Sequence, residues 1–163
     1  MNLGLEGKRA IITGSSRGIG RCCAHALARE GTRVCVVART QIELSQVLKE
    51  IDEIGGEGFA VAVDLTSQES CQRVVCETVE AFGGVDILVN NVGAAKNTDV
   101  LELSAKCIDD ALRLKSYSYL RMAQLVIPYM KESQWGRIIN IAGGAGTSPS
   151  RGNIQTGVAK VTI

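Results

Sequence analysis

A doubly wound α/β fold, one parallel sheet between two layers of helices, is what this sequence predicts. Two observations predict it. Short apolar runs alternate throughout with longer segments whose apolar residues recur at helical spacing, a pattern that requires parallel strands joined by helical crossovers. A glycine-rich turn, Thr13-Gly14-Ser15-Ser16-Arg17-Gly18-Ile19-Gly20, joins the first run to the first helical segment. Right-handed crossovers then give a three-layer arrangement with strand order 3-2-1-4-5. No repeat, low-complexity tract or linker interrupts the chain, so residues 1–163 are expected to form a single domain.

The elements follow in order. Arg9 to Ile12 is short and apolar, as a buried strand is. The Ala-rich stretch Arg21 to Glu30 is a helix that Gly31 closes. Val34 to Ala38 is the second strand. Gln41 to Gly55 carries Leu44, Val47, Leu48, Ile51 and Ile54 at helical spacing. Phe59 to Val63 is the third strand and ends at Asp64. Thr66 or Ser67 caps the next helix, whose buried stripe is Val74, Val75, Val79 and Phe82, and Gly83-Gly84 breaks it. Val85 to Val89 is the fourth strand, followed by Asn90-Asn91-Val92-Gly93. Ser104 caps one long helical stretch reaching about Lys131. Arg137 to Ala142 is the fifth strand, 143–153 a Gly/Ser loop, and Ile154 to Ile163 the first turns of another helix.

Composition narrows the function. Apolar residues make up 45% of the chain but aromatics only 4%, so the core is aliphatic and few rings could stack on nucleic-acid bases. A net charge of +1 with no basic stripe argues against a nucleic-acid partner. No apolar run approaches the roughly 20 residues of a membrane span, and the first is too short for a secretory leader, so no membrane partner is expected. Six cysteines contain no C-x-x-C pair and the one histidine, His25, lies in the first helix, so no metal is expected. Most of the cysteines read as small buried hydrophobes in a reducing, cytoplasmic setting.

The turn at 13–20 has a chemical reading. Glycines allow the sharp bend and the close approach of a pyrophosphate, and the following helix turns free N–H groups and its positive end toward the phosphates. At the end of the second strand, NAD-binding domains place an acid on the ribose hydroxyls; here the residues are Ala38 and Arg39. Arg39 and Arg17 suit the additional 2′-phosphate of NADP, because a guanidinium binds phosphate through two parallel donors. NADP is therefore expected over NAD, the bland alternative being two solvated surface arginines. The missing acid also speaks against a methyl-donor nucleotide, and the missing Lys-Ser/Thr after the loop against a P-loop NTPase.

Four features coincide: Thr13-Gly14-x-x-x-Gly18-Ile19-Gly20, Asp64 after the third strand, Asn90-Asn91-Val92-Gly93 after the fourth, and Gly136-Arg137-Ile138-Ile139-Asn140-Ile141 at the fifth. Together they resemble the short-chain dehydrogenase/reductase family, in particular its 3-oxoacyl-carrier-protein-reductase-like members, over nearly the whole chain. The resemblance implies a Rossmann-like dinucleotide-binding domain. It places Gly14, Ser16, Arg17, Gly18, Ile19 and Gly20 around the pyrophosphate, Asp64 at the adenine amine with Leu65 beside it in the cofactor site, and Asn91 and Gly93 along the adenosine side. Asp64 has a plainer reading as a helix-start residue, and Asn90 reads as a backbone brace between strands. In the family the helix after the fourth strand builds a two-fold interface, which implies a homodimer or homotetramer here; Leu112, Leu120, Met122, Leu125, Val126 and Met130 spread over more than one face of it.

The catalytic half departs from the family pattern. The family places a Ser near the end of the fifth strand and a Tyr-x-x-x-Lys on the next helix, the Tyr as acid/base, the Lys lowering its pKa and holding the nicotinamide ribose, the Ser orienting the carbonyl. Counting back from Lys160, the Tyr position is Thr156 and the Ser position Gly143. The family's relay Asn falls at Lys115, readable as a functional substitute or as a solvated helix charge. A threonine hydroxyl is far too weak an acid to replace a phenol near neutral pH. Tyr119 shares a helix face with Lys115 but reads as half-buried packing, and nothing positions Ser148 or Ser150. Members usually run to about 250 residues, so this chain stops inside the helix of the catalytic pair. Three readings stay open: an oxidoreductase on a carbonyl or alcohol, a dinucleotide-binding scaffold that has lost hydride transfer, and a part of a longer polypeptide.

Overall fold

The structure is a computed structural model that describes residues 3–93, 98–148 and 152–163; Ser150 lies outside them. Five parallel strands, β1 (Arg9–Thr13), β2 (Arg33–Ala38), β3 (Gly58–Ala62), β4 (Ile87–Asn90) and β5 (Arg137–Asn140), form one sheet in the order β3-β2-β1-β4-β5. This is the doubly wound, Rossmann-like, three-layer architecture expected. Helices α1 (Gly18–Arg29) and α2 (Gln41–Glu53) cover one face; α3 (Gln68–Phe82) and α5 (Ser118–Glu132) cover the other.

The inner strands β1, β2 and β4 are buried on both faces, so they read as continuous apolar runs rather than alternating ones. Alternation appears only in where each side chain goes. Ile11, Cys35, Val37, Val61 and Leu88 pack with Val74, Phe82, Met122 and Val126 under α3 and α5. Ala10, Ile12, Val34, Val36, Ile87 and Val89 pack with Ala24, Ala28, Leu44, Val47 and Ile51 under α1 and α2. Only two of the six cysteines, Cys35 and Cys71, are buried, and burial pushes their thiols up to about 12 and about 11, so both behave as inert apolar groups; Cys22 and Cys76 are exposed, which corrects the buried reading for them. Strand β5 is the sheet edge and all four of its residues are exposed.

The caps settle two boundaries. The Ser67 hydroxyl, not that of Thr66, accepts the Ser70 N–H and starts α3. The Ser104 hydroxyl accepts the Cys107 N–H and starts α4 (Ala105–Leu112). Beyond that point the single long helix is corrected. Residues Arg113–Tyr117 form a π-helical segment between α4 and α5. The wide turn brings Lys115 and Ser116 inward, where the Ser116 hydroxyl donates to the Ala159 carbonyl of α6 (Ile154–Val161) at 2.9 Å. Such bulges frequently mark functional sites. No helix among the described residues is long and apolar enough to cross a membrane.

Candidate functional site

Two adjoining hollows open at the carboxyl ends of the strands, where open α/β sheets bind ligands. The larger is a cleft of about 360 Å³ bordered by Gly14, Ser16, Arg17, Ile19, Arg39, Asp64, Leu65, Asn91 and Gly93. Nine residues singled out in the sequence thus share one cleft. Gly18 and Gly20 shape the loop without lining it. Glu43, in the first turn of α2, also borders the cleft; it was not anticipated, because its helical spacing is that of any solvent-facing residue.

Local physics explains the cleft's shape. Gly14 and Gly18 have positive φ, 63° and 57°, which side chains resist. A Cβ on Gly18 would meet nothing within 4 Å, so that position stands open. No side chain caps the N-terminus of α1, and Arg17 sits there in extended conformation. The first N–H groups of α1 and its positive end are therefore available to an anion.

The loop is held from below by groups to which the sequence pattern assigned no role. The Thr13 hydroxyl accepts the N–H groups of Asn91 at 2.9 Å and Val92 at 3.2 Å. The buried Ser15 hydroxyl accepts the Val37 N–H at 2.8 Å, joining the loop to β2. A hydroxyl on each side of Gly14 was the available signal; its partners lie 22 to 79 residues away. The Asn91 amide donates to the Thr13 and Gly14 carbonyls at 3.2 and 2.9 Å, so Asn91 braces the loop as well as bordering both hollows. Asn90 is also a brace, donating to the Asn140 side chain at 3.0 Å across β4 and β5. The Asp64 carboxylate accepts the Thr66 N–H at 3.0 Å within the turn before α3, while Ser67 rather than Asp64 caps that helix, and Asp64 borders the cleft.

The second hollow, about 260 Å³, gathers Lys115, Gly143, Thr156 and Lys160, and shares Ile19, Asn91, Gly93 and Leu114 with the first. Lys115 is only 8% exposed, which overturns its reading as a solvated helix charge. Its ammonium donates to the Tyr119 hydroxyl at 2.8 Å and the Ile141 carbonyl at 3.0 Å. Burial, and then the charge of Lys160, push the Lys115 amine down to about 8. Tyr119 is buried rather than half-buried, its hydroxyl lies 3.1 Å from the Val92 carbonyl, and burial pushes it above the ordinary phenol range. It is a structural phenol and a poorer acid than a free one. The Thr156 hydroxyl is buried and, among the described residues, has no hydrogen-bond partner. At Gly143 an added Cβ would sit 2.9 Å from Lys160 Cε, so the Lys160 side chain occupies the room a serine there would take. Ser148 lies away from both hollows.

The family model for short chain dehydrogenases matches residues 8–162. The 3-oxoacyl-[acyl-carrier-protein] reductase of Vibrio cholerae is 33% identical over 161 residues, 99% of this chain and 65% of that protein. Sorbitol dehydrogenase of Cereibacter sphaeroides is 38% identical over 155 residues, 94% of this chain and 58% of that protein. A solved 7α-hydroxysteroid dehydrogenase, complexed with NADH and 7-oxo glycochenodeoxycholic acid, superposes with a TM-score of 0.94 at 31% identity, covering 98% of this chain and 62% of that one. An NAD⁺-bound xylitol dehydrogenase gives 0.91 at 26% identity, covering 97% of this chain and 61% of that one. The chain spans about three-fifths of the length of these relatives. A matched model over nearly every residue, the sheet order and the glycine loop at the carboxyl ends of the strands lead to one conclusion: the chain belongs to the short chain dehydrogenase family.

Proposed function

We propose that this chain binds NADP(H) ahead of NAD(H) and serves an oxidoreductase that interconverts a small-molecule carbonyl and alcohol. One observation carries the reading: a single cleft joins the uncapped start of α1 to Arg17 and Arg39, with no acid at the end of β2. In this reading Gly14, Ser16, Gly18, Ile19 and Gly20 shape the pyrophosphate site, Arg17 and Arg39 hold the 2′-phosphate, Asp64 and Leu65 meet the adenine, and Asn91 and Gly93 line the adenosine side. When bound, the dinucleotide supplies or accepts a hydride. Solved relatives hold NADH and NAD⁺, so the preference is argued from this chain's own two guanidiniums. Arg39→Asp should reverse the NADPH:NADH affinity ratio, since a carboxylate repels the 2′-phosphate and accepts from a ribose hydroxyl. Glu43→Gln should leave NADPH ahead. Equal affinity of the unaltered chain for both dinucleotides would defeat the proposal.

A second reading, a dinucleotide-binding scaffold with impaired hydride transfer, is favoured by the second hollow. It offers Thr156 and Gly143 where the family has a phenol and a serine, with Lys160 and Lys115 as the remaining candidate catalytic groups. General acid–base groups typically contribute about 10²–10⁴-fold, so turnover of small ketones with NADPH is expected to be weak. We also propose a two-fold homo-oligomer, a dimer or tetramer, in a cytoplasmic setting. The inner face of α5 buries Met122, Val126 and Met130, while Leu120 and Ile127 on the same helix are exposed. Light scattering at micromolar concentration should give at least twice the mass of one chain; a monomer contradicts it.

A further inference from the structure

The cleft that gathers Arg17 and Arg39 also holds an acid to which NADP binding gives no role. Glu43 borders it beside Thr40, in the first turn of α2 and four residues beyond Arg39. Only two acidic side chains line the cleft, Glu43 and Asp64, and the Asp64 carboxylate already accepts the Thr66 N–H. The spacing Thr40-x-x-Glu43 is that of a capping box, in which the acid reaches back to the N–H of the capping residue. Here the box is not made. The Thr40 side chain accepts no helix N–H. Among the described residues the Glu43 carboxylate makes no hydrogen bond, and neither it nor the Arg17 or Arg39 guanidinium is in an ion pair. Glu43 is thus a bare negative charge on the rim of a cleft whose other charges at that end are positive.

Such a charge tells two dinucleotides apart. The 2′-phosphate of NADPH carries a charge of about −1.5 to −2 near neutral pH, as any phosphate monoester does. The ribose hydroxyl that replaces it in NADH is neutral. A carboxylate beside the seat therefore repels one and leaves the other nearly unaffected, and specificity is a difference of affinities that a repulsive group adjusts as well as an attractive one.

We propose that Glu43 sets the margin by which NADPH leads NADH: its carboxylate opposes the 2′-phosphate that Arg17 and Arg39 attract, and holds the preference below what the two guanidiniums alone would give. This role rests on the dinucleotide reading of the cleft and adds a specificity-determining residue to it. The carboxylate is exposed and acts through space, so dissolved salt weakens its effect.

Fluorescence titrations of the 163-residue chain with NADPH and with NADH test it. Glu43→Gln should tighten NADPH about fivefold in dilute buffer, the scale of one unit charge acting on a phosphate across several ångströms of water-rich surface. NADH should change less than twofold. Glu43→Lys should move NADPH further in the same direction, and Glu43→Asp, which keeps the charge, should bind as the unaltered chain does. The gain in Glu43→Gln should shrink as salt is raised from about 0.01 M toward 1 M, where the screening length falls from about 30 Å to about 3 Å. A merely structural role for Glu43 would shift both dinucleotides alike and would not follow the charge series. Unchanged NADPH affinity in Glu43→Gln, an equal gain for NADH, or a gain that salt leaves intact would each overturn the proposal. NADPH ahead of NADH with Glu43→Gln unchanged removes the role of Glu43 alone. Equal affinities in the unaltered chain, with NADPH drawn ahead in Glu43→Gln, remove the NADP preference and support Glu43. No saturable binding of either dinucleotide removes both.

Discussion

Asp86→Ala should destabilise the fold by about 3 kcal/mol, the lower end of what removing one partner of a buried ion pair costs. The pair is Arg9 and Asp86, at the starts of neighbouring strands β1 and β4, where the register sets Ala10 beside Ile87. Their side chains are 20% and 5% exposed. The carboxylate accepts the Arg9 side chain at 2.7 and 2.9 Å and the Arg9 backbone N–H at 3.0 Å, while the guanidinium also donates to the Gly83 carbonyl at 2.9 Å. Removing the carboxylate leaves a part-buried guanidinium with only the Gly83 carbonyl, and an unpaired backbone N–H. Burial alone would raise the Asp86 pKa, but these bonds and the Arg9 charge outweigh it and hold the carboxyl below its usual range. The folded pKa therefore lies below the unfolded value of about 3.9. The stabilisation is fully present above that pH and is lost as pH falls through the folded value. Urea unfolding at pH 7 should show a lower midpoint for Asp86→Ala, and the gap to the unaltered chain should narrow in acid. An unchanged midpoint at pH 7 would show that the pair contributes nothing.

Gly20→Ala should abolish useful dinucleotide binding, a loss of at least about tenfold, and destabilise the fold by about 1–3 kcal/mol. A Cβ at Gly20 would lie 2.5 Å from the Asn91 amide nitrogen and 2.9 Å from the Gly14 carbonyl carbon, with the Gly14 oxygen also in contact. Those atoms form the Asn91–Gly14 hydrogen bond that fixes the phosphate loop. The alanine must push either the loop or Asn91 aside, and both line the cleft. Gly18→Ala is the contrast: its Cβ meets open space, so only the left-handed backbone at φ 57° resists, about 1 kcal/mol. Thermal unfolding and an NADPH titration on both variants check the pair. Undiminished binding by Gly20→Ala would show that this contact does not set the loop.

The elements legible in the sequence are those that nearest-neighbour chemistry decides. Five strands announce themselves as apolar runs, Ser67 and Ser104 as caps, and the 13–20 loop by its glycines. The cleft residues were legible because each follows the end of a strand, and in a parallel sheet those ends converge. What escaped depends on distant partners. The π-helical segment has no propensity signal; it forms where Lys115 and Ser116 turn inward toward the β5 end and α6. Arg9 and Asp86 are 77 residues apart and meet only once β1 and β4 pair. Lys115 could be read as a surface charge as readily as a functional group because its burial comes from α6 and the end of β5, elements that follow it in the chain.

Titrating NADPH into the 163-residue chain, followed by nicotinamide fluorescence, tests the central claim that the glycine loop, Arg17 and Arg39 make a working dinucleotide cleft. The account predicts one saturable site per chain, with NADH binding more weakly and NADPH binding lost in Gly20→Ala. An absence of saturable NADPH binding by the folded, unaltered chain would contradict it.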